Sequence, residues 1–305
     1  METSQVISDF PDRLSPVFVR DLRQGLRANA FVWIFIILQV LALVATLVEL
    51  ALLQIIGNAA SGPLSSGTFF VVLWGTFCVV LPLSLFGSLQ NELGQGRNIE
   101  LLLAASLTRW QLVRGKLLVA SCLSGLLLGS LLPYFLIRYF MGSLELIPAL
   151  GMIGSIALIN TAANAIVIGA SGYSNYVGRA AVIIFFSSWF SSSISSVSIS
   201  ILMGRASSPW DEALQVATFI GLSLLFTGLG LQLGRAKIRP FENPIDPPSS
   251  LIIFVLAFFT PIIVGITSAA GGMLIACIPV FLLLWLVFSI DPGSSKKNRL
   301  KGLQP

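Results

Sequence analysis

The chain is a succession of long apolar runs separated by short polar segments. A membrane-spanning helix needs roughly 20 mostly apolar residues, and about eight runs meet that length: 31–54, 68–90, 112–137, 146–170, 178–202, 213–234, 251–269 and 271–290. The last two runs are close enough in sequence to form a helical hairpin. The pattern therefore predicts an all-α protein, a polytopic membrane helix bundle of about eight transmembrane helices.

Composition supports this prediction and removes several classes of chemistry. Of the 305 residues, 55% are hydrophobic and 10% are charged, and the mean hydropathy is +0.91. Soluble domains carry about 25% charged residues. The chain has no histidine, which excludes Ser-His-Asp arrangements and histidine-based acid–base or metal chemistry. We expect a protein that is not itself catalytic, with no metal or cofactor of its own.

The start of the chain does not resemble a cleaved signal peptide. Residues 1–30 are polar, and the first apolar run is too long for a signal sequence, so we expect it to be a retained anchor. Cys78, Cys122 and Cys277 all lie inside predicted spans. We interpret them as small buried residues rather than as a disulfide framework.

The distribution of basic residues predicts the orientation. If the N-terminus is cytoplasmic, only Arg138 and Arg205 of the 18 Lys and Arg residues fall outside. This asymmetry follows the positive-inside rule and predicts a multi-pass protein of the cell (inner) membrane with both termini cytoplasmic. The net charge of +5 then reflects topology and contact with the lipid bilayer, not nucleic acid.

An amphipathic helix is predicted before the first span. Ser15 suits an N-cap and Pro16 the first helical position. Apolar and basic residues then fall on opposite faces: Val19, Leu22 and Leu26 against Arg20, Arg23 and Arg27. This pattern indicates an interfacial elbow helix in the headgroup layer. The alternative is an ordinary basic flank that happens to be helical.

A polar, helix-prone insert, residues 91–116, separates the second and third spans. Thr108 to Gln111 read as a capping box that begins a helix running into the third span. Residues 97–106 then form a short separate helix, with Arg97 and Glu100 facing outward. The alternative is a charged loop.

A few polar residues lie within the predicted spans. Asn160 and Asn164 are one helical turn apart on the fourth span and, if buried, need partners on other helices or on a substrate. They are therefore candidates for lining a translocation path. Ser191, Ser195 and Ser198 share a face of the fifth span, where helix packing is favoured over a lining for a translocation path. Glu49 lies near the outer end of the first span, and we expect it to reach the interface by snorkelling. The pairs Gly125/Gly129 and Gly230/Gly234 indicate helix packing.

The insert resembles the cytoplasmic coupling segment of type-2 ATP-binding-cassette (ABC) transporter permeases. The residues that match the family pattern in order are Glu100, Leu101, Leu102, Leu103, Ser106, Arg109, Gly115 and Lys116. Residues 15–27 are also similar to the elbow helix of that family. The chain departs from the pattern at Arg97-Asn98, where the family often has Gly-Thr, and eight spans exceed the usual six.

The resemblance implies a permease, by family an exporter, driven by a separate subunit. A coupling helix between the second and third spans would dock on an ABC ATP-binding subunit that holds ATP and Mg²⁺. The chain itself has no GxxxxGK[ST] motif. The implied contacts with the ATPase are Arg97, Glu100, Leu102, Leu103 and Arg109. A homodimer or a second permease subunit would complete the transporter.

The predicted organisation has five parts, in chain order 1–30, 31–234, 235–250, 251–290 and 291–305. They are the N-terminus with its interfacial helix, a six-span core with the coupling segment 91–111, a Pro-rich cytoplasmic linker, the final two-span hairpin and a basic tail. The alternative function is a membrane scaffold or assembly protein without transport activity. The sequence indicates no substrate.

Overall fold

The computed structural model describes residues 16–56, 67–90, 109–140, 146–202, 209–237 and 249–289. Within these ranges the regular structure is helical, and they contain no strand. The protein is a polytopic helical membrane protein, as the apolar runs predict. Residues 91–108, which hold most of the predicted coupling segment, lie outside the described part of the chain.

The described helices follow one another in chain order. Helix α1 is Pro16–Arg27 and α2 is Asn29–Ile56. Next come α3, Gly67–Gly75, a π-helical turn, Thr76–Val80, and α4, Leu81–Ser84. Then follow α5, Arg109–Ser130, α6, Leu132–Phe140, α7, Leu146–Ala170, α8, Tyr176–Leu202, α9, Pro209–Lys237, and α10, Ser249–Ser289.

Within the described residues, six helical stretches are long and apolar enough to cross a membrane. They are Asn29–Ala51, Trp110–Phe140, Ala149–Ala170, Tyr176–Val197, Trp210–Ala236 and Ser250–Ala269. Two further predicted spans correspond to the shorter apolar helices Phe69–Ser84 and Leu274–Ser289. The first of these is short because the predicted run 68–90 leaves the helical conformation after Ser84 and continues as turns.

Sequence signals explain several helix boundaries. The break between α5 and α6 falls at Leu131, beside Pro133, which has no amide hydrogen for the helical ladder and whose ring crowds the preceding turn. Helix α9 begins with Pro209 at its first position, and Asp211 and Glu212 in its first turn face the positive end of the helix dipole.

The chain divides into two compact units, one from residues 1–85 with 101–164 and the other from 86–100 with 165–305. The first unit has a buried apolar core formed by α2, α3, α5, α6 and α7, in which Phe69 packs edge-on against Phe135 at 5.2 Å. Helices α2 and α5–α6 run in the same direction. Two contacts in the same order along both show this: Gln39 bonds to Ser130, and Glu49 pairs with Arg138.

The second unit is built around the antiparallel pair α8 and α9. Only residues 203–208 join the two helices. The ring centroids of Phe190 and Phe226 nevertheless lie 5.0 Å apart, which requires the two helices to run in opposite directions. Helix α10 packs on both of them. Its first part follows α8, since Phe254 contacts Phe185 and Phe258 contacts Trp189.

The second part of α10 follows α9 in the same way. Val280 lies against Gly221 and Val287 against Gly228, and Cys277 Sγ is 2.8 Å from Thr218 Oγ1. Each part therefore runs parallel to its own neighbour, while the two neighbours are antiparallel. A straight helix cannot satisfy both sets of contacts. Although the helical conformation is assigned over the whole of Ser249–Ser289, we infer from these contacts that the chain turns back on itself between the arms Ser250–Ala269 and Leu274–Ser289.

A close backbone approach joins α7 to α9. A Cβ atom on Gly169 would lie 2.3 Å from the Gly230 carbonyl oxygen, and one on Gly230 would lie 2.5 Å from the Ala165 carbonyl carbon. Neither contact leaves room for a side chain. By contrast, among the described residues nothing lies within 4 Å of a Cβ added to Gly125 or Gly129. Of the two glycine pairs that indicate packing, Gly230 is therefore at a contact within the described part of the chain, and Gly125/Gly129 is not.

Candidate functional site

The residues expected to contact a partner lie in or beside the predicted coupling segment. Arg97, Glu100, Leu102 and Leu103 fall outside the described residues. Arg109 is the first residue of α5, directly after Thr108, where the capping signal places the start of a helix. The described structure therefore includes the residues on either side of this segment, which are 85–90 before it and α5 after it. These two flanking parts are called its attachments.

The attachment that follows the segment is the N-terminal part of α5, which extends beyond the start of α2. Gln39 Nε2 donates to Ser130 Oγ at 2.7 Å, and the two helices run in the same direction. Asn29, where α2 begins, is thus level with about residue 120 of α5. At 1.5 Å per residue, the preceding part of α5 projects by about 15 Å beyond that level.

This projecting part of α5 is continuous with the span and carries polar side chains. The Arg114 guanidinium lies 4.2 Å from the centre of the Trp110 ring, a cation–π contact. Helix α1 packs along α5, with Gly25 against the Leu123 side chain. A displacement applied at Arg109 would therefore be carried along one uninterrupted helix.

The attachment that precedes the segment is held by a buried serine. Ser171, at the end of α7, accepts a hydrogen bond from the Leu89 amide at 3.1 Å. Its hydroxyl also lies 3.5 Å from that of Ser88 and donates to the Ile168 carbonyl at 2.7 Å. One further bond joins Gln90 Nε2 to the Ser174 carbonyl at 3.2 Å.

A buried arginine strengthens the same attachment. Arg179 on α8 is 1% exposed. Its guanidinium donates to the carbonyls of Tyr173 at 2.7 Å, Ser174 at 3.2 Å and Phe86 at 3.5 Å. Burial also raises the pKa of Tyr173. The turn between α7 and α8 is therefore bonded to residues 86–90, which lead into the predicted coupling segment.

A buried ion pair lies in the first unit. Glu49 on α2 and Arg138 on α6 are 3% and 1% exposed, with 2.8 Å between Oε2 and Nη2. The amide of Phe69 donates to the other carboxylate oxygen at 3.2 Å, and the guanidinium lies 4.4 Å from the centre of the Phe69 ring. The expected snorkelling of Glu49 is wrong, because a cation 89 residues away in sequence provides a buried partner.

The two asparagines of α7 are buried and contact each other. Asn164 Nδ2 donates to Asn160 Oδ1 at 3.2 Å, and both residues are at most 2% exposed. Within the described part of the chain, Asn164 Oδ1 has no hydrogen-bond partner. The pair thus forms one internal bond and leaves one buried acceptor.

The serines proposed as a path lie on α8. Ser191 and Ser195 are exposed along this helix, and Ser198 lies further along it. Ser193 is buried, and its hydroxyl donates to the Trp189 carbonyl at 2.8 Å. Ser191 and Ser195 therefore face away from the packed interior of their own unit.

Sequence reasoning did not identify the role of Arg179 or the pairing of Arg138 with Glu49. The positive-inside rule predicts only that Arg179 is cytoplasmic and that Arg138 is external. A charged residue inside or beside an apolar run is the available signal for both. Their partners are backbone carbonyls or distant residues, which no local pattern reveals.

Among the described residues, no group of three or more His, Cys, Asp or Glu side chains could hold a metal ion. No protein-family model, curated protein or solved structure matches the chain. The geometry of the attachments and the residues of the insert are therefore the basis for a functional proposal.

Proposed function

We propose that the chain is the transmembrane permease subunit of an ATP-driven ABC transporter, by resemblance an exporter. A separate ATP-binding subunit would energise it by docking on the coupling segment, with Arg97, Glu100, Leu102, Leu103 and Arg109 as the contacts. In this proposal the chain is not itself catalytic, and ATP and Mg²⁺ are bound by the partner.

One observation carries the proposal beyond the resemblance. The segment that resembles a coupling helix leads directly into α5, a helix that is continuous from Arg109 to Ser130 and projects beyond the start of α2. In a transporter driven by a subunit outside the membrane, movement at the docking site must shift the spans between two conformations. This requires a rigid connection between the docking site and the spans. The projecting part of α5 has this form.

The finer topology belongs to the same proposal. The six spanning helices, with Phe69–Ser84 and Leu274–Ser289 as two shorter crossings, would give eight spans with both termini in the cytoplasm of a cell with an inner membrane. Helix α1 would serve as the interfacial elbow, since Arg20, Arg23 and Arg27 are exposed. A homodimer or a second permease subunit would place Ser191 and Ser195 opposite another chain.

The test is a pull-down of the tagged full chain in mild detergent, followed by mass spectrometry for a co-purifying P-loop ATPase. Three forms are compared: wild type, Glu100→Arg and Glu212→Arg. The last is a matched control, because it makes the same charge change at an exposed position in the first turn of α9.

We expect an ATPase with wild type and Glu212→Arg and its depletion with Glu100→Arg. Recovery of the ATPase with all three forms would contradict docking through Glu100. Its absence from all three would contradict the transporter proposal and favour the alternative of a membrane scaffold or assembly protein.

A further inference from the structure

Arg179 binds carbonyl oxygens from two separate segments of the second unit. Tyr173 and Ser174 belong to the turn between α7 and α8, and Phe86 belongs to the residues that lead into the insert. Within the described ranges, no carboxylate forms an ion pair with Arg179. The arginine therefore acts as a bridge between two pieces of backbone.

Two aromatic rings, that of Phe86 and that of Tyr176 at the start of α8, lie beside the guanidinium. Its central carbon lies 5.4 Å from the centre of the Phe86 ring and 4.8 Å from that of Tyr176. The two rings are themselves stacked, with centroids 6.0 Å apart and planes inclined by 20°. A planar, permanently charged group with five N–H donors suits this position, and the compact ammonium of lysine does not.

The Ser171 contacts form a second link between the same segments. The Leu89 amide and the Ser171 hydroxyl are joined directly, and Gln90 reaches the Ser174 carbonyl that Arg179 also binds. Leu89 and Ser171 are both buried. Several hydrogen bonds thus hold residues 86–90 to the turn.

Burying a guanidinium is costly unless its hydrogen bonds are satisfied. An apolar side chain could fill the same space, but it could not bind carbonyls of two segments at once. We propose that Arg179, with Phe86, Ser171 and Tyr176, forms a clamp that carries movement of the insert to the adjoining ends of α7 and α8. Arg179 is then a positioning residue, and this role rests on the proposed function.

The clamp is tested by hydrogen–deuterium exchange of the full chain in nanodiscs. Wild type, Arg179→Lys, Arg179→Gln and the control Arg27→Lys are compared, since Arg27 is exposed on α1. We expect peptides over 86–90 and 171–175 to exchange at least about fivefold faster in both Arg179 variants, because buried hydrogen bonds are lost. Both segments should change together, and Arg27→Lys should match wild type.

Transmission is tested on the complex with the co-purified ATPase, with and without ATP and vanadate. We expect the ATPase to remain bound to both Arg179 variants. The nucleotide-dependent change in exchange at residues 165–180, present in wild type, should be lost in them. Retention of that change would overturn transmission through Arg179, and unchanged exchange at 86–90 would overturn the clamp itself.

A cross-link separates positioning from general damage to the fold. The hydroxyls of Ser88 and Ser171 are 3.5 Å apart, so Ser88→Cys with Ser171→Cys should form a disulfide on oxidation. In the Arg179→Gln background, oxidation should restore the nucleotide response, and reduction should abolish it again. Failure of the formed disulfide to restore the response would overturn the proposal.

These outcomes distinguish the two proposals. If no ATPase accompanies wild type, the transporter function fails and transmission fails with it. Joint loss of protection at 86–90 and 171–175 would still establish the clamp as a link in the fold, because that measurement needs no partner.

Discussion

Glu49 and Arg138 form an ion pair in which both side chains are withdrawn from solvent, with 2.8 Å between carboxylate oxygen and guanidinium nitrogen. The pair joins α2 to α6. The Phe69 amide and ring contact it from α3. Three helices therefore meet at this pair, close to the ends of α2 and α6.

Removing one member of the pair should destabilise the protein strongly. Glu49→Gln removes the Glu49 charge from the ion pair with the buried guanidinium, and breaking such a pair costs about 3–5 kcal/mol. Replacing both members, as Glu49→Leu with Arg138→Met, should cost less than Glu49→Gln alone. Thermal unfolding of the detergent-solubilised protein measures the order.

The exposed pair Arg20–Asp21, with 2.9 Å between its charged atoms, is the matched control. Asp21→Asn should change stability by at most about 1 kcal/mol, since Arg20 is 56% exposed. Equal effects of Asp21→Asn and Glu49→Gln would contradict a structural role for the buried pair.

The effect on stability of replacing a glycine by alanine should depend on the space around that glycine. Gly230→Ala places a methyl group against the backbone of α7, and overpacking of this kind costs about 1–3 kcal/mol. The methyl group of Gly125→Ala meets nothing within 4 Å among the residues that the structure describes, and this change should be neutral or slightly stabilising in a helix. Melting temperatures in the same detergent make the comparison. A similar loss at both positions would indicate that α5 is covered by a second chain.

Apolar run length and turn chemistry predict much of this fold. The runs give the helices, Pro209 with its following acidic residues marks the start of α9, and Pro133 accompanies the break in the third predicted span. The burial of Glu49 in an ion pair could not be predicted, because its partner Arg138 lies far along the chain. The carbonyl partners of Arg179 are equally hidden, since backbone groups have no sequence signature.

The reversal within α10 can be tested by two cross-links in the same molecule. A Cβ on Gly265 lies 3.9 Å from Ser196 Cβ, within the range of a disulfide. Ser196→Cys with Gly265→Cys should therefore join the first arm to α8. Thr218→Cys should join α9 to the native Cys277 of the second arm.

Mass spectrometry of non-reduced peptides identifies both bonds, and Ser195→Cys with Gly265→Cys is the control, since Ser195 is exposed on α8. Both disulfides should form within one chain. A straight α10 would allow one of them at most, so failure to obtain both in one molecule would contradict the reversal.

The asparagine pair of α7 should respond unequally to truncation. Asn160→Ala removes the acceptor of the Asn164 amide and leaves that buried side chain without its bond, at a cost of about 1–3 kcal/mol. Asn164→Ala also removes the carbonyl oxygen that has no partner within the described residues, and should cost less. Thermal unfolding shows which of the two variants loses more stability. A larger loss with Asn164→Ala would show that its oxygen is bonded in the assembled protein.

The reversal of α10 has a consequence for sidedness. Helices α8 and α9 form one helical hairpin, and the arms Ser250–Ala269 and Leu274–Ser289 form a second that lies against it in the same sense. A hairpin returns the chain to the face from which it started. The second hairpin could therefore be added to or deleted from such a protein without changing the face on which the chain continues.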